Sequence, residues 1–491
     1  MRILHIDIDT LRADHLGCYG YHRDTSPNID ALASRAVRFD AVHASDVPCL
    51  PSRTALLTGR FGLHTGVVNH GGTDADPIVD GATRGFWSTL HQTSFPFRLG
   101  LAGIRGTSIS SFAARHSAFH WHAGFAETYD VGGYGLETAD DVARIAHDWL
   151  ERNGSADDWF LHVHLWDPHT PYRTPAAYGD PFAGDPLPTW LTEEVRAADW
   201  AGCGPHSAQE CAGFGLRPDV AAVWPRQPQQ IDSTAAVRQM FDGYDTGVRY
   251  ADDEVGRLLD HLDRLGVLDD TAVMISSDHG ETLGELNVYG DHQTADQQTT
   301  RVPLLLSWPG LGEGSRPRVD SALHYQFDVM ATLVELAGGR PSARWDAESF
   351  ADAHRDGGEL GRGQLVVSQG AWTAQRAVRW GDHLLIRTHH DAFHLYPDVM
   401  LFDVVADPHE QHDLAPSSPG LVADGLGRLA AWRDEQLSTS PHGIDPLERV
   451  LAEGGPFHVR GELPGYLQRL RATGRSALAD RLVARHPDAA A

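Results

Sequence analysis

A long amphipathic helix followed directly by an apolar strand is the feature that most constrains the fold. Between residues 233 and 265 apolar side chains recur at helical spacing, and Gly266 then ends the pattern, as a glycine at a helix C-terminus does. The run 272–276 that follows is typical of a buried strand. Because helix followed by strand is the repeating unit of layered α/β proteins, the chain is predicted to be an α/β protein.

Three further apolar runs are predicted to be strands, at residues 3–9, 160–165 and 303–308. The pattern changes near residue 364, where short strands separated by glycine and polar turns begin. We therefore predict a large catalytic domain, residues 1–363, and a small α+β domain with an antiparallel sheet, residues 364–491. The smaller domain is predicted to contain three strands and one helix, followed by a tail broken by glycine and proline, with the elements at 364–369, 375–380, 383–388 and 420–437.

The charge balance excludes some classes of partner. Aspartate and glutamate number 67, the basic residues number 40, and the formal net charge is −27. None of the basic residues is lysine. A genome rich in GC would favour arginine, but such a bias seldom removes every lysine, so we favour a halophilic protein that stays hydrated in a salt-rich cytoplasm. The acidic surface argues against nucleic acid and, unless salt screening is strong, against long polyanionic substrates.

Cysteine content and hydropathy predict a cytoplasmic protein. Four cysteines in a chain of 491 residues are too few for a disulfide framework, although Cys203 and Cys211 could pair or stay free. The predicted first strand begins directly at the N-terminus, so no signal peptide is expected. No stretch approaches the ~20 apolar residues needed to cross a membrane, so no membrane association is expected. The sequence leaves the oligomeric state open.

The strongest local motif is C-L-P-S-R at residues 49–53, which T-A-L-L-T-G-R follows. It resembles the C-x-P-x-R signature of the sulfatase family. The resemblance implies that a formylglycine-generating enzyme oxidises Cys49 to formylglycine, whose hydrate attacks sulfur with one hydroxyl and helps to expel sulfate with the other. It also implies an alkaline-phosphatase-like fold, in which helices flank a large mixed sheet and a smaller α+β domain follows. The alternative is a buried free cysteine at the start of a helix.

Two more motifs resemble the metal site of sulfatases. The segment D-T-L-R-A-D-H that begins at Asp9 resembles the family opening, although many members have a second aspartate where this chain has threonine. The motif S-S-D-H-G-E resembles the segment that supplies two further ligands, here Asp278 and His279. The resemblance thus implies one divalent cation held by Asp9, Cys49, Asp278 and His279. Calcium is the commonest metal in the family and magnesium also suits oxygen ligands, whereas an imidazole ligand favours manganese.

Other motifs imply groups that contact the sulfate. The motif W-D-P-H-T-P-Y resembles a family segment whose histidine, here His169, touches the sulfate and the leaving oxygen. Family members commonly use two lysines, which this chain lacks. Counting back from the motif R-V-P puts His292 at the second lysine position, where it could protonate the leaving alkoxide. Arg115 and His116 are the basic groups nearest the first lysine position, and a surface location for both stays open.

Arg53 has a physical case of its own. A guanidinium cannot lose its proton and offers planar paired donors, so Arg53 can orient the formylglycine and neutralise developing negative charge. Asp7 lies one pleat behind Asp9 on the first strand, and we expect it to accept hydrogen bonds behind the ligands rather than bind the metal.

The residues and the resemblance together predict a sulfuric ester hydrolase acting on a small-molecule or saccharide substrate, a sugar or aryl sulfate. One alternative is a phosphonate or phosphate ester hydrolase of the same superfamily, since some of those also combine formylglycine with an Asp-His metal pair. Another is a binding protein without activity, against which the retention of Cys49, Arg53 and Asp278 argues. The insertion 180–228 and the loop 389–397 are expected to shape the substrate pocket. The resemblance covers roughly residues 1–440.

Overall fold

Two β-sheets of unequal size organise the molecule. The computed structural model describes residues 1–79, 89–310 and 318–490. Within these residues the strands are β1 Arg2–Ile8, β2 Val37–His43, β3 Asp46–Val47, β4 Arg105–Ile109, β5 Glu127–Tyr129, β6 Trp159–Leu165, β7 Thr271–Ser276, β8 Thr282–Leu283, β9 Tyr289–Asp291, β10 Arg301–Ser307, β11 Arg318–Asp320, β12 His324–Tyr325, β13 Leu365–Gln369, β14 Ala374–Trp380, β15 His383–His390 and β16 Val399–Asp403.

The α-helices lie mainly between the strands of the large sheet and after the small one. In the same described ranges they are α1 Pro27–Ala33, α2 Cys49–Thr58, α3 Gly62–Thr65, α4 Thr89–Thr93, α5 Phe95–Leu101, α6 Phe112–Arg115, α7 Ala139–Asn153, α8 Glu193–Trp200, α9 Pro218–Val223, α10 Thr234–Arg264, α11 Gln297–Thr300, α12 Gln326–Leu336, α13 Ala351–Asp356, α14 Pro419–Thr439, α15 Pro446–Ala452, α16 Leu463–Ala472 and α17 Ser476–Arg485.

The large sheet is mixed, which confirms the predicted fold class. Its strand order is β11-β2-β10-β7-β1-β6-β4-β5, and β12 also pairs with β2. The strands from β7 to β5 run parallel, whereas β10 runs antiparallel to both of its neighbours. The central strands are buried on both faces because α7 and α10 cover one face while α2, α5 and α12 cover the other.

Helix α10 and the strand after it form as predicted. The side chain of Ser233 accepts a hydrogen bond from the backbone N–H of Ala236 and caps the helix. At the other end Gly266 has a φ of 70°, the left-handed conformation that ends helices. The predicted strands agree with the structure to within two residues at each end.

The small sheet has the order β16-β15-β14-β13-β3, so its edge strand β3 comes from the N-terminal part of the chain. The side chain of Phe61 packs edge-on against Trp432 of α14, with ring centroids 5.2 Å apart. The two parts of the chain thus share one core, and the boundary at residue 363 stays a prediction.

The C-terminal tail differs from the prediction. Instead of an irregular segment it forms helices α15, α16 and α17. Leu463, Tyr466, Leu467 and Leu470 of α16 recur at helical spacing and are buried in a separate apolar cluster. Glycines lie in the segments before and after α16, so the sequence pattern did not indicate this short amphipathic helix.

The structure also bears on the cysteines and on the possibility of membrane-spanning helices. All four cysteines are free. Among the described helices, none has the length and apolar character required to cross a membrane.

Candidate active site

The parallel strands end at one edge of the large sheet, and the predicted ligands lie there. Asp9 follows β1, Asp278 and His279 follow β7, and Cys49 begins α2, which packs against the same edge. One ligand atom from each of these four residues lies within 4.8 Å of the other three. All four side chains are buried. The structure thus brings together the whole predicted ligand set, from residues as much as 270 positions apart (9 and 279).

Hydrogen bonds behind His279 orient its ring toward Cys49. Its Nδ1 lies 2.8 Å from the carbonyl oxygen of Gly280. Because a carbonyl can only accept, Nδ1 carries the proton and Nε2 keeps its lone pair, the form that binds metals. Nε2 lies 3.0 Å from the sulfur of Cys49 and 3.4 Å from Asp278 Oδ2.

Arg53 lies beneath the ligands and is completely buried. It donates to Asp7 through one terminal nitrogen and to Asp9 through the other, the latter at 2.9 Å. The same nitrogen lies 3.3 Å from Asp278 Oδ2. The guanidinium therefore balances part of the charge of three buried carboxylates, and Asp7 takes the supporting position expected for it.

The carboxyl groups differ in their pKa for identifiable reasons. Burial alone would raise the pKa of Asp9, but the hydrogen bond with His164 and the charges of His169 and Arg53 bring it well below its usual range. Burial outweighs Arg53 at Asp278, whose pKa is raised. Burial, together with these two aspartates, also raises the pKa of Cys49 well above its usual value, so an unmodified thiol would stay protonated.

Thr10 stands where many sulfatases have a second aspartate. Its backbone N–H lies 3.3 Å from Asp278 Oδ1, and its φ of 56° is in the left-handed region that a β-branched residue rarely adopts. The buried hydroxyl of Thr10 has no hydrogen-bond partner among the described residues. Such strain persists only where the surrounding structure holds it, so the packing of the site requires this backbone conformation at Thr10.

A cavity of about 580 Å³ opens onto Cys49. His169 and His292, both predicted to contact the sulfate, line it, with their rings 5.4 Å apart. His116 also lines it and its Nε2 is buried, which favours the site over the open surface for this residue. Arg115 lines the cavity too, and its guanidinium donates to the carbonyl oxygen of Tyr134 and lies over the ring of Trp166.

Of the two segments that were expected to shape the substrate pocket, one lines the cavity and the other does not. The insertion contributes His206, Arg217 and Val220 to the lining, as predicted. The loop 389–397 contributes none of the described lining residues, because its His394 turns inward to Gln293 at 3.1 Å.

Sequence reasoning missed five residues at or behind the cavity. Three line it, and two lie behind it. His164 lies 2.7 Å from Arg53 and 3.1 Å from Asp9, and the buried carboxyl of Glu281 lies 3.8 Å from His292. The three lining residues are His70, Trp372 and His458. They lie outside the motifs, and nothing in the local sequence marks them.

A model of the sulfatase family matches residues 2–339. The chain belongs to the sulfatase family. It is 25% identical over 443 residues to an ulvan-active sulfatase of Formosa agariphila, a match that covers 84% of this chain and 76% of that protein. It is 27% identical over 451 residues to a choline-sulfatase of Rhizobium meliloti, covering 83% of this sulfatase and 81% of the relative.

Solved structures agree with the fold of this sulfatase. The solved structure of a protein in complex with its substrate, D-glucosamine-2-N,6-O-disulfate, superimposes on this chain with a TM-score of 0.69 at 18% identity. The match covers 90% of this chain and 99% of that one. The phosphonate monoester hydrolase of Agrobacterium radiobacter gives a TM-score of 0.67 at 18% identity. The match covers 89% of this chain and 96% of that one. The protein is therefore a sulfuric ester hydrolase with the alkaline-phosphatase-like architecture.

Proposed function

We propose that this sulfatase hydrolyses the sulfate ester of a sugar or aryl alcohol with formylglycine at position 49 and one divalent cation. The observation that carries the proposal is the convergence of Asp9, Asp278 and His279 on Cys49, which lines the cavity. Formylglycine, once hydrated, supplies one hydroxyl as the nucleophile; the second hydroxyl then loses its proton, so that the aldehyde re-forms and the C–O bond to sulfate breaks.

The donor set fits a divalent cation. Asp9 Oδ1 and Asp278 Oδ2 are buried and accept no hydrogen bond from the described residues. Asp278 Oδ2 lies 3.3 Å from Arg53, but three carboxylates share that one guanidinium, so these oxygens are costly to bury unless a further cation binds them. Carboxylate oxygens together with the Nε2 of His279 suit calcium, magnesium or manganese, and calcium is our first choice from the family. Such a cation would polarise the sulfate and lower the pKa of the nucleophile.

The remaining groups act on the substrate directly. The Nδ1 of His169 donates to the carbonyl oxygen of Thr170, so its Nε2 can donate to a sulfate oxygen only when the ring carries a second proton. His292 is proposed to donate a proton to the leaving oxygen in place of the family lysine. His116, whose buried Nε2 has no described partner, is proposed to bind a sulfate oxygen in place of the other lysine. Arg53 holds the carboxylates and offsets charge that develops on the sulfuryl group.

The test uses protein produced together with a formylglycine-generating enzyme. Conversion of Cys49 lowers the mass of its peptide by about 18 Da. The converted protein is expected to hydrolyse 4-nitrophenyl sulfate, to lose activity with a chelator and to regain it with one of the three cations. Cys49→Ala is expected to be inactive. A converted, metal-loaded protein without activity on aryl and sugar sulfates would contradict the proposal.

A second candidate is phosphonate or phosphate diester hydrolysis by the same site. The likeness in fold to the phosphonate monoester hydrolase and the presence of a histidine beside Asp278 favour it. Comparing kcat/KM for 4-nitrophenyl sulfate with that for its phenylphosphonate analogue distinguishes the two. We expect the sulfate to be preferred.

We further propose that the enzyme works in a salt-rich cytoplasm. The net charge of −27 without lysine supports this. Added potassium chloride would screen the self-repulsion and is expected to raise the thermal midpoint between 0.1 and about 2 M salt. An unchanged midpoint would favour the explanation from genome composition.

A further inference from the structure

Part of the cavity wall comes from segments beyond residue 339, where the family match ends. Trp372 lies in the turn between β13 and β14, and His458 lies between α15 and α16. Both line the cavity that opens onto Cys49, together with His206 of the insertion. The cavity is therefore completed by three segments that are far apart in sequence.

Several contacts hold the tail against the cavity. The backbone N–H of His458 donates to the carbonyl oxygen of Ala371 at 3.1 Å. Next to it, the ring of Phe457 lies so close to Gly71 that a Cβ there would be 2.6 Å from a ring carbon. The position of His458 is thus built by packing and hydrogen bonds and does not depend on a single contact.

The tautomer of His458 follows from a chain of hydrogen bonds. The backbone N–H of Leu50 donates to His70 Nε2 at 3.4 Å, so the neutral ring of His70 carries its proton on Nδ1. That nitrogen lies 3.1 Å from His458 Nε2, which must accept. The proton of His458 is therefore on Nδ1, for which the described residues provide no acceptor. A ligand in the cavity can supply one.

The three side chains form one continuous surface. Trp372 is stacked on His458 with ring centroids 4.5 Å apart and planes at 21°. His206 meets the indole edge-on at 5.3 Å. The Nε2 of His206 is paired with Asp291 at 3.0 Å, whereas its buried Nδ1 has no described partner. An apolar face flanked by unsatisfied imidazole nitrogens fits a ring that carries hydroxyl groups.

The three side chains of this surface include no guanidinium for a second anionic group. Two arginines line the cavity elsewhere: Arg217 is paired with Asp219 at 3.0 Å, and Arg115 donates to the carbonyl oxygen of Tyr134 and lies over the ring of Trp166. Burial lowers the pKa of His458 to about 4, so its imidazole is neutral near pH 7. Asp291 already holds His206. A carboxylate or second sulfate on the ring would therefore be desolvated here without a compensating charge.

We propose that Trp372, His458 and His206 form a subsite for the alcohol half of the substrate, and that its ligand is a single uncharged sugar ring. The proposal rests on the proposed function, which it makes more specific. The indole would contact the C–H face of the ring, and the two imidazoles would bind its hydroxyl groups. A cavity of about 580 Å³ suits a small sugar ligand.

The experiment compares kcat/KM for hexose monosulfates, for D-glucosamine-2-N,6-O-disulfate and for ethyl sulfate, which has no ring. We expect the best hexose monosulfate to exceed the disulfate. In Trp372→Ala and in His458→Ala the ratio of hexose sulfate to ethyl sulfate should fall about tenfold, mainly through KM. In Trp372→Phe and His458→Gln, which keep an aromatic ring and an N–H donor respectively, the ratio should fall less.

The matched control is Trp190→Ala. Trp190 is likewise stacked on a histidine, His409, at 4.4 Å and 13°, but neither residue lines the cavity. This variant should keep the parent ratio. An unchanged ratio in Trp372→Ala, or a tenfold preference for the disulfate, would overturn the subsite.

Calorimetry separates failure of the subsite from failure of the proposed function. In a Cys49→Ala background, the same hexose monosulfate is titrated into protein with and without Trp372→Ala. Binding that weakens about tenfold supports the subsite even if the converted enzyme hydrolyses no sulfate ester. Equal affinity in the two proteins overturns the subsite while leaving hydrolysis untouched.

Discussion

At the scale of single residues, Arg53 shows how the site tolerates several buried charges. Its guanidinium contacts Asp7 and Asp9 and lies 3.3 Å from Asp278, and all four side chains are at most 1% exposed. An ammonium group could not bridge the two strand carboxylates in the same way, since it lacks the planar paired donors. The arginine of the C-x-P-x-R motif therefore stabilises the fold, besides the role in the reaction that we propose for it.

Replacing Arg53 should lower both the stability of the protein and its activity. Arg53→Ala leaves buried carboxylates unpaired, so we expect unfolding to become easier by about 3 kcal/mol and kcat/KM to fall about a thousandfold. Urea unfolding and steady-state kinetics check the two effects. The control, Arg105→Ala, removes an exposed ion pair with Glu127 and should change stability by less than about 1 kcal/mol. Equal effects of the two variants would show that the buried guanidinium has no special role.

His292 should matter in proportion to how poor the leaving group is. An alkoxide needs a proton as it departs, whereas 4-nitrophenolate is stable without one. His292→Ala should therefore lower kcat for alkyl sulfates about a hundredfold or more and kcat for 4-nitrophenyl sulfate far less. The measurement is kcat over a series of sulfates of increasing leaving-group pKa. A uniform loss across the series would mean that His292 binds the sulfate and does not protonate the leaving oxygen.

At the scale of elements, the loop after β7 depends on a close backbone approach. Gly280 follows the ligand His279, and a Cβ on Gly280 would lie 1.9 Å from the carbonyl oxygen of Gln298. Neither backbone can move freely, because the N–H of Gly280 also donates to the carbonyl oxygen of Thr299 at 2.8 Å. The glycine of the S-S-D-H-G-E motif thus fixes the loop that holds two ligands.

Gly280→Ala should therefore displace His279. We expect the free energy of unfolding to fall by about 2 kcal/mol or more and the affinity for the activating cation to fall with it. Thermal unfolding and metal titration of the purified variant measure both. Gly363→Ala is the control, because its added Cβ would meet no atom within 4 Å. A variant at position 280 with normal metal affinity would contradict this account.

At the scale of the whole molecule, Glu285 joins three distant parts of the chain. Its buried carboxylate lies 2.9 Å from Arg12, which follows β1, and 2.9 Å from His409 in the C-terminal part. Burial would raise the pKa of Glu285, but Arg12 and His409 outweigh it and lower the pKa to about 2. Deprotonated Glu285 therefore stabilises the folded state.

The lowered pKa of Glu285 predicts that the protein becomes less stable at acidic pH. Because the folded pKa lies below the unfolded value of 4.5, the contribution is complete above about pH 4.5 and is lost as the pH falls toward 2. The shift corresponds to about 3 kcal/mol. Glu285→Gln should therefore be less stable than the parent at pH 7, and urea unfolding should show the difference shrinking at pH 3. The control Glu193→Gln, at an exposed pair with Arg196, should show no such dependence. A stability difference between the two proteins that is the same at pH 7 and pH 3 would contradict this dependence on the protonation of Glu285.

The sequence by itself determined the chemistry of the centre and the layered fold. Asp9, Cys49, Asp278 and His279 stand in motifs tied to strand ends or a helix start, and such local patterns survive in a single sequence because each depends on neighbouring residues. Helix α10 and seven strands, β1, β6, β7, β10, β13, β14 and β15, were predictable for the same reason, since periodicity is a local property.

Only the tertiary structure decided which other groups reach the site. His70, Trp372 and His458 come from a loop, a turn and the tail, and no periodicity or motif relates them. His116, left open between the site and the surface, was assigned by the cavity it lines. Long-range packing decides such contacts, because the position of a side chain in a shared cavity depends on how distant elements pack together rather than on its neighbours in sequence.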